Sequence, residues 1–438
     1  MVLGPGGAGV SVVAAAGALG PARATRRRND GGGRTPTRLT GVPVTRTEHD
    51  TLLITIDRTS PATQMLGVFR APDEPVAVSA NLHLLALDRL ELLENTWEVF
   101  TDVLAATLTS SAAVIPGVGA LAEVASGELT TLPGIEDFLA LRRIRDEAIS
   151  GRWRRIIVDC SGGTDPFTFL RAGAVLGQAF NRLWPRHRRL AAAAERPVVA
   201  QLTAAIDTID RDCHDVTELF ADAHAVAVHL VVPDDARGTR LTPHLLGTID
   251  MMGLALRSVI VNRGTGARTS TIADSRLSAT QDARDTQDAS ATGDAEGTES
   301  AEASVVSAIG ELPPGVDLRI VDPIPEPIDR AARLRRLGVE LGDPSGRAQG
   351  AAAATVVSLG GPGPDGEYEM RWRQRLPDPG SLRLGRVGDD LLVTVGGFRQ
   401  PVTLPSVLRR CRVVDATWDG TVMVVRFTPD PAVWPRAR

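Results

Sequence analysis

Four short apolar runs limit how this chain can fold. TLLITID (51–57), RRIIVDC (154–160), AVAVHLVV (225–232) and SVIVN (258–262) are rich in β-branched residues and show little polar alternation. A strand exposed on one face alternates, whereas a strand covered on both faces reads as a nearly unbroken apolar run. Helical patterns lie between the runs. Leu90, Leu93, Trp97, Phe100 and Leu104 recur three or four apart, and Ile135, Phe138, Leu139 and Ile144 repeat the spacing after Pro133-Gly134. Strands alternating with helices predict an α/β fold, a parallel sheet covered by helices. The stripe from Leu90 to Leu104 is expected to pack on its own domain or on a partner helix rather than to line a cofactor site.

Two segments break this grammar. Residues 23–47 are rich in Arg, Gly and Thr without periodicity and read as an exposed loop, and 266–304 carries almost no large apolar residue and reads as a disordered insert. A linker-like stretch, GGPGPDGE (360–367), then leads into short alternating runs: SLRLGRV, DLLVTV, PVTLP, CRVVDATW and TVMVVRF. They predict a small antiparallel β-sandwich of about 70 residues. Asp419-Gly420 reads as a hairpin turn in which both residues accept positive φ. Removing 367–438 is expected to leave the α/β domain folded.

Chemistry is suggested first by the start of the chain. Gly4 to Ser11 has the spacing G-x-x-x-x-G, Val, Ser, that of a phosphate-cradling loop with valine where a lysine belongs. In such a loop the backbone amides and the following helix N-terminus converge on phosphate, and a hydroxyl holds Mg²⁺. Gly4, Gly6, Gly7 and Gly9 are present, Ser11 can supply the hydroxyl, and Val12 to Leu19 can form the helix. Only three residues precede Gly4, fewer than a full strand, which points either to a misplaced start codon or to a sheet trimmed at its middle. Two later strands end in acids, Asp57 and Asp159. Two readings of these carboxylates stay open: water-positioning and Mg²⁺-holding groups of a phosphoryl-transfer site, or caps of the turns that follow.

Composition removes several classes. A net charge of −5 and 4% aromatic residues argue against a nucleic-acid binder. No apolar run reaches the ~20 residues of a membrane span. Cys160, Cys213 and Cys411 lie far apart, so a disulfide framework or structural zinc is not expected, and a reducing cytoplasm fits. Cys160 and His229 read as core residues, and Asp212-Cys213-His214-Asp215 as part of a solvated face. A secretory leader over VSVVAAAGALG, with Ala22-Arg23-Ala24 as its cleavage site, is disfavoured because no positive charge precedes it. The chain has no lysine, all 48 basic residues being arginine, a bias that fits a GC-rich genome.

The motifs in this order resemble the ArsA-like ATPases, the family of the arsenite-pump ATPase and the ATPase that targets tail-anchored proteins. GPGGAGVSV (4–12) aligns without gaps on the family's GKGGVGKTT. Ile56 to Pro61 looks like the switch segment TDPAHS with only Asp57 kept, and Asp159 to Asp165 resembles DTAPTGHTLR. VIVNR (259–263) matches VVVNR, and IPEPIDRAARLRRLG (324–338) looks like the segment that closes the ATPase domain. Residues 367–435 resemble the small-heat-shock-protein-like domain of some bacterial members. The resemblance implies an ATPase domain over 1–338, a linker over 339–366 and a sandwich over 367–435. It implies ATP and Mg²⁺ as cofactors. Catalysis falls to Asp57 and Asp159, phosphate and base contacts to Gly4, Gly6, Gly7, Ala8, Gly9, Val10, Ser11, Val12, Asn262 and Arg263, and Mg²⁺ to Ser11. It also implies a homodimer that opens and closes around a protein or membrane-associated client, flanked by 87–149 and the sandwich.

Both family lysines are replaced. Pro5 takes the position whose lysine reaches the partner subunit's nucleotide, and Val10 that of the lysine on the bound one. Each lost charge-assisted contact is worth about 1.5–3 kcal/mol, and a lost transition-state cation on the order of 10³–10⁵ in rate. Two functions therefore compete: a cycling ATPase, and a pseudo-ATPase scaffold or chaperone-like protein without turnover. Arg58 and Arg263, each beside a site residue, are the arginines that sequence position offers as replacements.

Overall fold

The computed structural model describes residues 1–20, 49–71, 73–109, 123–162, 165–195, 197–264, 304–360 and 366–434. They form two compact units: Met1–Val2, Val10–Glu218 and Pro325–Glu340 in the first, and Leu3–Gly9, Leu219–Ile324 and Leu341–Arg438 in the second. The exposed loop read over 23–47 lies outside the described residues, as does the insert read over 266–304 except Ser304, which caps a short helix.

In the first unit the elements run β1 (Val2–Leu3), α1 (Val10–Leu19), β2 (His49–Thr55), α2 (Ala62–Leu66), β3 (Val76–Ser79), β4 (Leu82–Ala86), α3 (Arg89–Thr109), α4 (Ile135–Ile149), β5 (Trp153–Asp159), α5 (Pro166–Leu170), α6 (Ala172–Leu183), α7 (Arg186–Glu195) and α8 (Pro197–Ala221). The strands lie in the order β3-β4-β2-β5-β1, all parallel except the edge pair β3–β4. Leu52, Leu53 and Ile54 are all buried, as a sheet covered on both faces requires. α1 is apolar nearly all round and almost wholly buried, with Ala and Gly allowing close approach. In α3, Leu93 and Leu104 are buried and Trp97 donates to the Val124 carbonyl at 2.9 Å, so the stripe packs within its own domain, while Leu90 at its start is 41% exposed.

α6 and α8 meet through small residues. A Cβ on Gly173 would lie 3.3 Å from the Cys213 carbonyl oxygen, and one on Gly177 3.3 Å from the Cys213 Cβ. Burial pushes the Cys213 thiol up to about 12, so it packs as a small apolar group. Its neighbours Asp212 and Asp215 hold Arg145 at 2.9 and 3.3 Å, and His214 faces Glu218 on the surface.

The second unit carries the segment Leu3–Gly9 and then β6 (Val228–Pro233), α9 (Ala236–Met252), β7 (Leu256–Asn262), α10 (Val305–Ile309) and β8 (Asp317–Val321). β6, β7 and β8 pair in parallel. His229 interrupts β6 as a satisfied core imidazole, its Nδ1 2.8 Å from the Ser258 hydroxyl. The chain continues through β9 (Thr355–Ser358), β10 (Tyr368–Arg373), β11 (Arg383–Val387), β12 (Asp390–Val395), β13 (Phe398–Thr403), β14 (Cys411–Trp418) and β15 (Val422–Pro429). They form two antiparallel sheets, β14-β15-β10-β9 and β11-β12-β13. The α/β class followed by an antiparallel β domain is thus what the chain builds.

Three details differ from the sequence reading. Within 339–366, read as linker, Thr355–Ser358 is a strand paired with β10, because TVVS has the β-branched content to extend the sheet. At the last hairpin only Gly420 has positive φ, 101°. Asp419 instead accepts from the amides of Thr421 and Val422 at 2.9 and 2.8 Å, so the turn is held by a side chain. Finally, the β core is shared with the α/β part of its unit. Met251 of α9 belongs to the same cluster as Trp372, Leu391 and Phe427. The Gln374 amide donates to the Gly247 carbonyl at 2.8 Å, and Arg375 pairs with buried Asp250 at 3.2 Å. Truncation at 367 therefore strips Met251 of its packing on the β core and Asp250 of its partner.

Burial, opposed by Arg375, raises Asp250 above the ordinary carboxylate range. Arg375→Ala is expected to destabilise the protein by about 3 kcal/mol in urea unfolding at neutral pH, since it strands a buried carboxylate. A raised folded-state pKa means that stability from this group falls as pH rises through the carboxylate range, so the defect should shrink on acidification. An equal loss at all pH values would show that packing rather than charge was removed.

Candidate functional site

In the first unit the parallel register of β2 and β5 sets Thr55 opposite Asp159, so the chain leaves both strands at the same end of the sheet. Asp57 follows β2, and its carboxylate accepts the Thr59 amide at 2.8 Å and the Thr59 hydroxyl at 2.9 Å. Asp159 closes β5 and is fully buried. It accepts from the Ser161 amide at 3.1 Å and from the Ser60 hydroxyl at 3.2 Å, and Ser60 in turn donates its amide to the Asp57 carbonyl. The Ser11 hydroxyl lies 2.7 Å from that of Ser161. Gly162, at φ 146°, runs over Asp57, and a Cβ there would meet the Asp57 Cβ at 3.3 Å. Ser11, Asp57 and Asp159 are thereby gathered in one polar cluster together with Ser60 and Ser161.

Both carboxylates cap the turns after their strands, and Asp159 does more. Burial pushes it above the usual carboxylate range, while the Ser161 and Ser11 hydroxyls, the Ser161 amide and the Ser60 hydroxyl draw it back. Those donors are all neutral. A buried carboxylate served by hydroxyls is a group for which a hard cation would be a favourable neighbour, and the Ser11 and Ser161 oxygens suit Mg²⁺. Cys160, next to it, is a free buried thiol raised to about 12 by burial and packs rather than ligates.

The second unit holds the glycine loop. Ala8 donates its amide to the Pro5 carbonyl at 3.1 Å, closing a turn in which Gly7 takes φ of 82°, and Gly9, just after it, takes 85°. Those values strain any residue with a Cβ. Among the described residues the amides of Gly6, Gly7 and Gly9 donate to no protein acceptor, which leaves them for an anion. The loop thus fits a phosphate group through its backbone. Val10 and Val12 do not add polar contacts: Val10, where a lysine is expected, is a buried apolar residue at the start of α1.

Asn262 and Arg263 also sit in this unit, and both are engaged. The Asn262 amide donates to the Ala8 carbonyl at 2.8 Å and its oxygen accepts the Gly264 amide at 3.1 Å, so it braces the loop. Arg263 pairs with Asp234 at 3.2 Å and Asp322 at 3.0 Å. A different arginine reaches the loop. Arg237, in the first turn of α9, donates from its guanidinium to the Gly6 carbonyl and lies 3.6 Å from where a Cβ on Gly7 would be. The sequence reading missed it. The available signal was the missing lysine, which makes arginine the only strong cation the loop can recruit.

The profile described as anion-transporting ATPase matches residues 31–284, and the one described as an HSP20-like domain found in ArsA matches 365–427. The chain belongs to the ArsA ATPase family. The first match covers Asp57, Asp159, Asn262 and Arg263, while the Gly4–Gly9 loop lies ahead of it. Protein Rv2184c of Mycobacterium tuberculosis is 32% identical over 83% of this chain and 82% of its own length. Uncharacterized protein SCO2128 of Streptomyces coelicolor is 29% identical over 100% of this chain and 99% of its own. Among the described residues of this ArsA-family chain, no helix is long and apolar enough to cross a membrane, and no cluster of three or more His, Cys, Asp or Glu could hold a metal ion.

Asp159→Asn provides a test of the cluster. Because burial raises the folded-state pKa, the wild-type carboxyl disfavours folding progressively as pH rises through the carboxylate range. The amide removes that penalty, so the variant is expected to be more stable by about 1 kcal/mol at neutral pH, with the gain fading in acid. A variant less stable at neutral pH in urea titration would make Asp159 a structural cap.

Proposed function

We propose that this ArsA-family chain binds ATP at the Gly4–Gly9 loop and works through occupancy, with hydrolysis slow or absent. The observation that carries this is the loop: glycine geometry and free amides support phosphate binding, while its two lysine positions hold Pro5 and buried Val10. Backbone amides hold a phosphate in ground state and transition state alike, so binding survives the loss of a cation better than turnover does. ATP, when bound with Mg²⁺, supplies a transferable phosphoryl group. Within the first unit, Ser11 and the cluster around Asp159 would hold Mg²⁺, and Asp57, at the switch position, would orient water.

A second reading, a cycling ATPase, is favoured by one specific feature. Asp57 just after β2 and Asp159 at the end of the paired strand β5 are joined through Ser60, which bonds the Asp57 backbone carbonyl and the Asp159 carboxylate, and carboxylates gathered in this way suit water positioning and metal holding. On either reading the protein works as a homodimer acting on a protein or membrane-associated client. The helical region around α3, α4 and α6 supports a client role: it carries an open groove of about 490 Å³ lined by Arg89, Ile135, Asp137, Thr168 and Val175.

Equilibrium binding of Mg²⁺-ATP, followed by a phosphate-release assay on the same protein, separates the readings. Saturable binding with release near the uncatalysed rate is expected. Steady release selects the cycling enzyme, and an absence of saturable binding removes both nucleotide roles.

A further inference from the structure

Arg237 is placed where helix stability alone would not put it. It occupies the first turn of α9, behind the N-cap Asp235, where the helix dipole disfavours a cation. The turn that delivers it is tight: a Cβ on Gly238 would fall 1.8 Å from the Pro233 carbonyl oxygen, so only glycine lets α9 begin directly at the end of β6. The nearby acids are occupied. Asp234 holds Arg263, and Asp235 accepts the Gly238 amide at 2.7 Å. Among the described residues Arg237 makes no ion pair, and the acceptor its guanidinium finds is the Gly6 carbonyl. A guanidinium has five donors, stays charged at any physiological pH and matches phosphate oxygens in pairs.

We propose that Arg237 is the phosphate-binding cation of the Gly4–Gly9 loop, replacing from α9 the positive charge that Pro5 and Val10 do not supply. The inference rests on the nucleotide-binding reading and adds the residue that makes phosphate binding charge-assisted. Anchored on the Gly6 carbonyl, the guanidinium keeps its remaining donors for phosphate oxygens beside the free amides of Gly6 and Gly7. Arg58 and Arg263 are not needed for this role, and Arg263 is already spent on two carboxylates.

The test uses the full chain and equilibrium dialysis with Mg²⁺-ADP, with adenosine as a phosphate-free probe. Arg237→Ala is expected to weaken ADP binding by about tenfold or more and to leave adenosine binding unchanged, as loss of one charge-assisted contact requires. Its affinity should also fall less steeply with salt than that of the wild type. Arg237→Lys should recover part of the loss. Thermal melting of Arg237→Ala should match or slightly exceed the wild type, since a cation leaves a helix N-terminus. Wild-type binding with equal ADP affinity in Arg237→Ala overturns the assignment alone. Equal weakening of ADP and adenosine overturns it too, by showing a general disturbance. A wild-type chain that takes up neither probe overturns the nucleotide reading and this assignment with it.

Discussion

The register of β2 against β5, with Thr55 opposite Asp159, is the constraint on which the polar cluster of the first unit depends. Side chains on a strand alternate between faces, so a slip of one residue would exchange the faces on which Leu53 and Ile157 pack and separate the ends of the two strands. Leu52, Leu53 and Ile54 are all buried, so β2 is covered on both faces and its alignment with β5 is set inside the core. Once it is fixed, the turns after the strands have little freedom. Asp57 closes its turn on Thr59, Asp159 closes its own on Ser161, and Ser60 ties one to the other. What results is a carboxylate buried among neutral donors, an arrangement that lowers stability and that a fold keeps where the charge has a use.

In the second unit α9 plays the corresponding part. Its first turn sends Arg237 to the loop, and its last turns give Gly247, Asp250 and Met251 to the β core. Asp250 ties that end firmly, because a buried carboxylate paired with Arg375 cannot slide without losing its partner. Any displacement of α9 therefore has to be accommodated by the loop, by the β domain, or by both. A helix held at each end in this way is a reason to regard the HSP20-like region as part of the same mechanical body as α9 and the Gly4–Gly9 segment of its unit.

Much of this was legible in the sequence, for identifiable physical reasons. β2, β5, β6 and β7 announce themselves because doubly buried strands are nearly all apolar, and α3 and α4 because one-sided burial imposes a helical period. β3 and β4 were not named. VAVS is an exposed edge strand and LHLLA abuts the helix that follows, so neither carries a clear signal at its boundaries. Treating 339–366 as linker failed at Thr355–Ser358 because four residues are too few for periodicity to outweigh the flanking Gly and Pro. Gathering Ser11, Asp57 and Asp159 was foreseeable from strand order, whereas Asn262 as a brace on Ala8 was not, since only the fold shows which acceptor its amide finds. Arg237 stands 231 residues from Gly6 in the chain, and no local pattern connects them.

Moving the cation from the loop to α9 changes what the site is suited to do. A lysine inside the loop sits on a flexible stem and can follow negative charge as it shifts towards the leaving oxygen. Arg237 is held from outside by the Gly6 carbonyl, in a planar fork whose geometry is set before anything binds. Under the proposed assignment, a fork set in advance favours the binding of a phosphate. It contributes less to a transition state in which bond lengths and charge are redistributed, since uniform binding does not lower the chemical barrier. On the proposed assignment, a cation outside the loop serves affinity more than turnover, so the valine at position 10 and the arginine at 237 are consistent with a protein that responds to nucleotide occupancy more than to its hydrolysis.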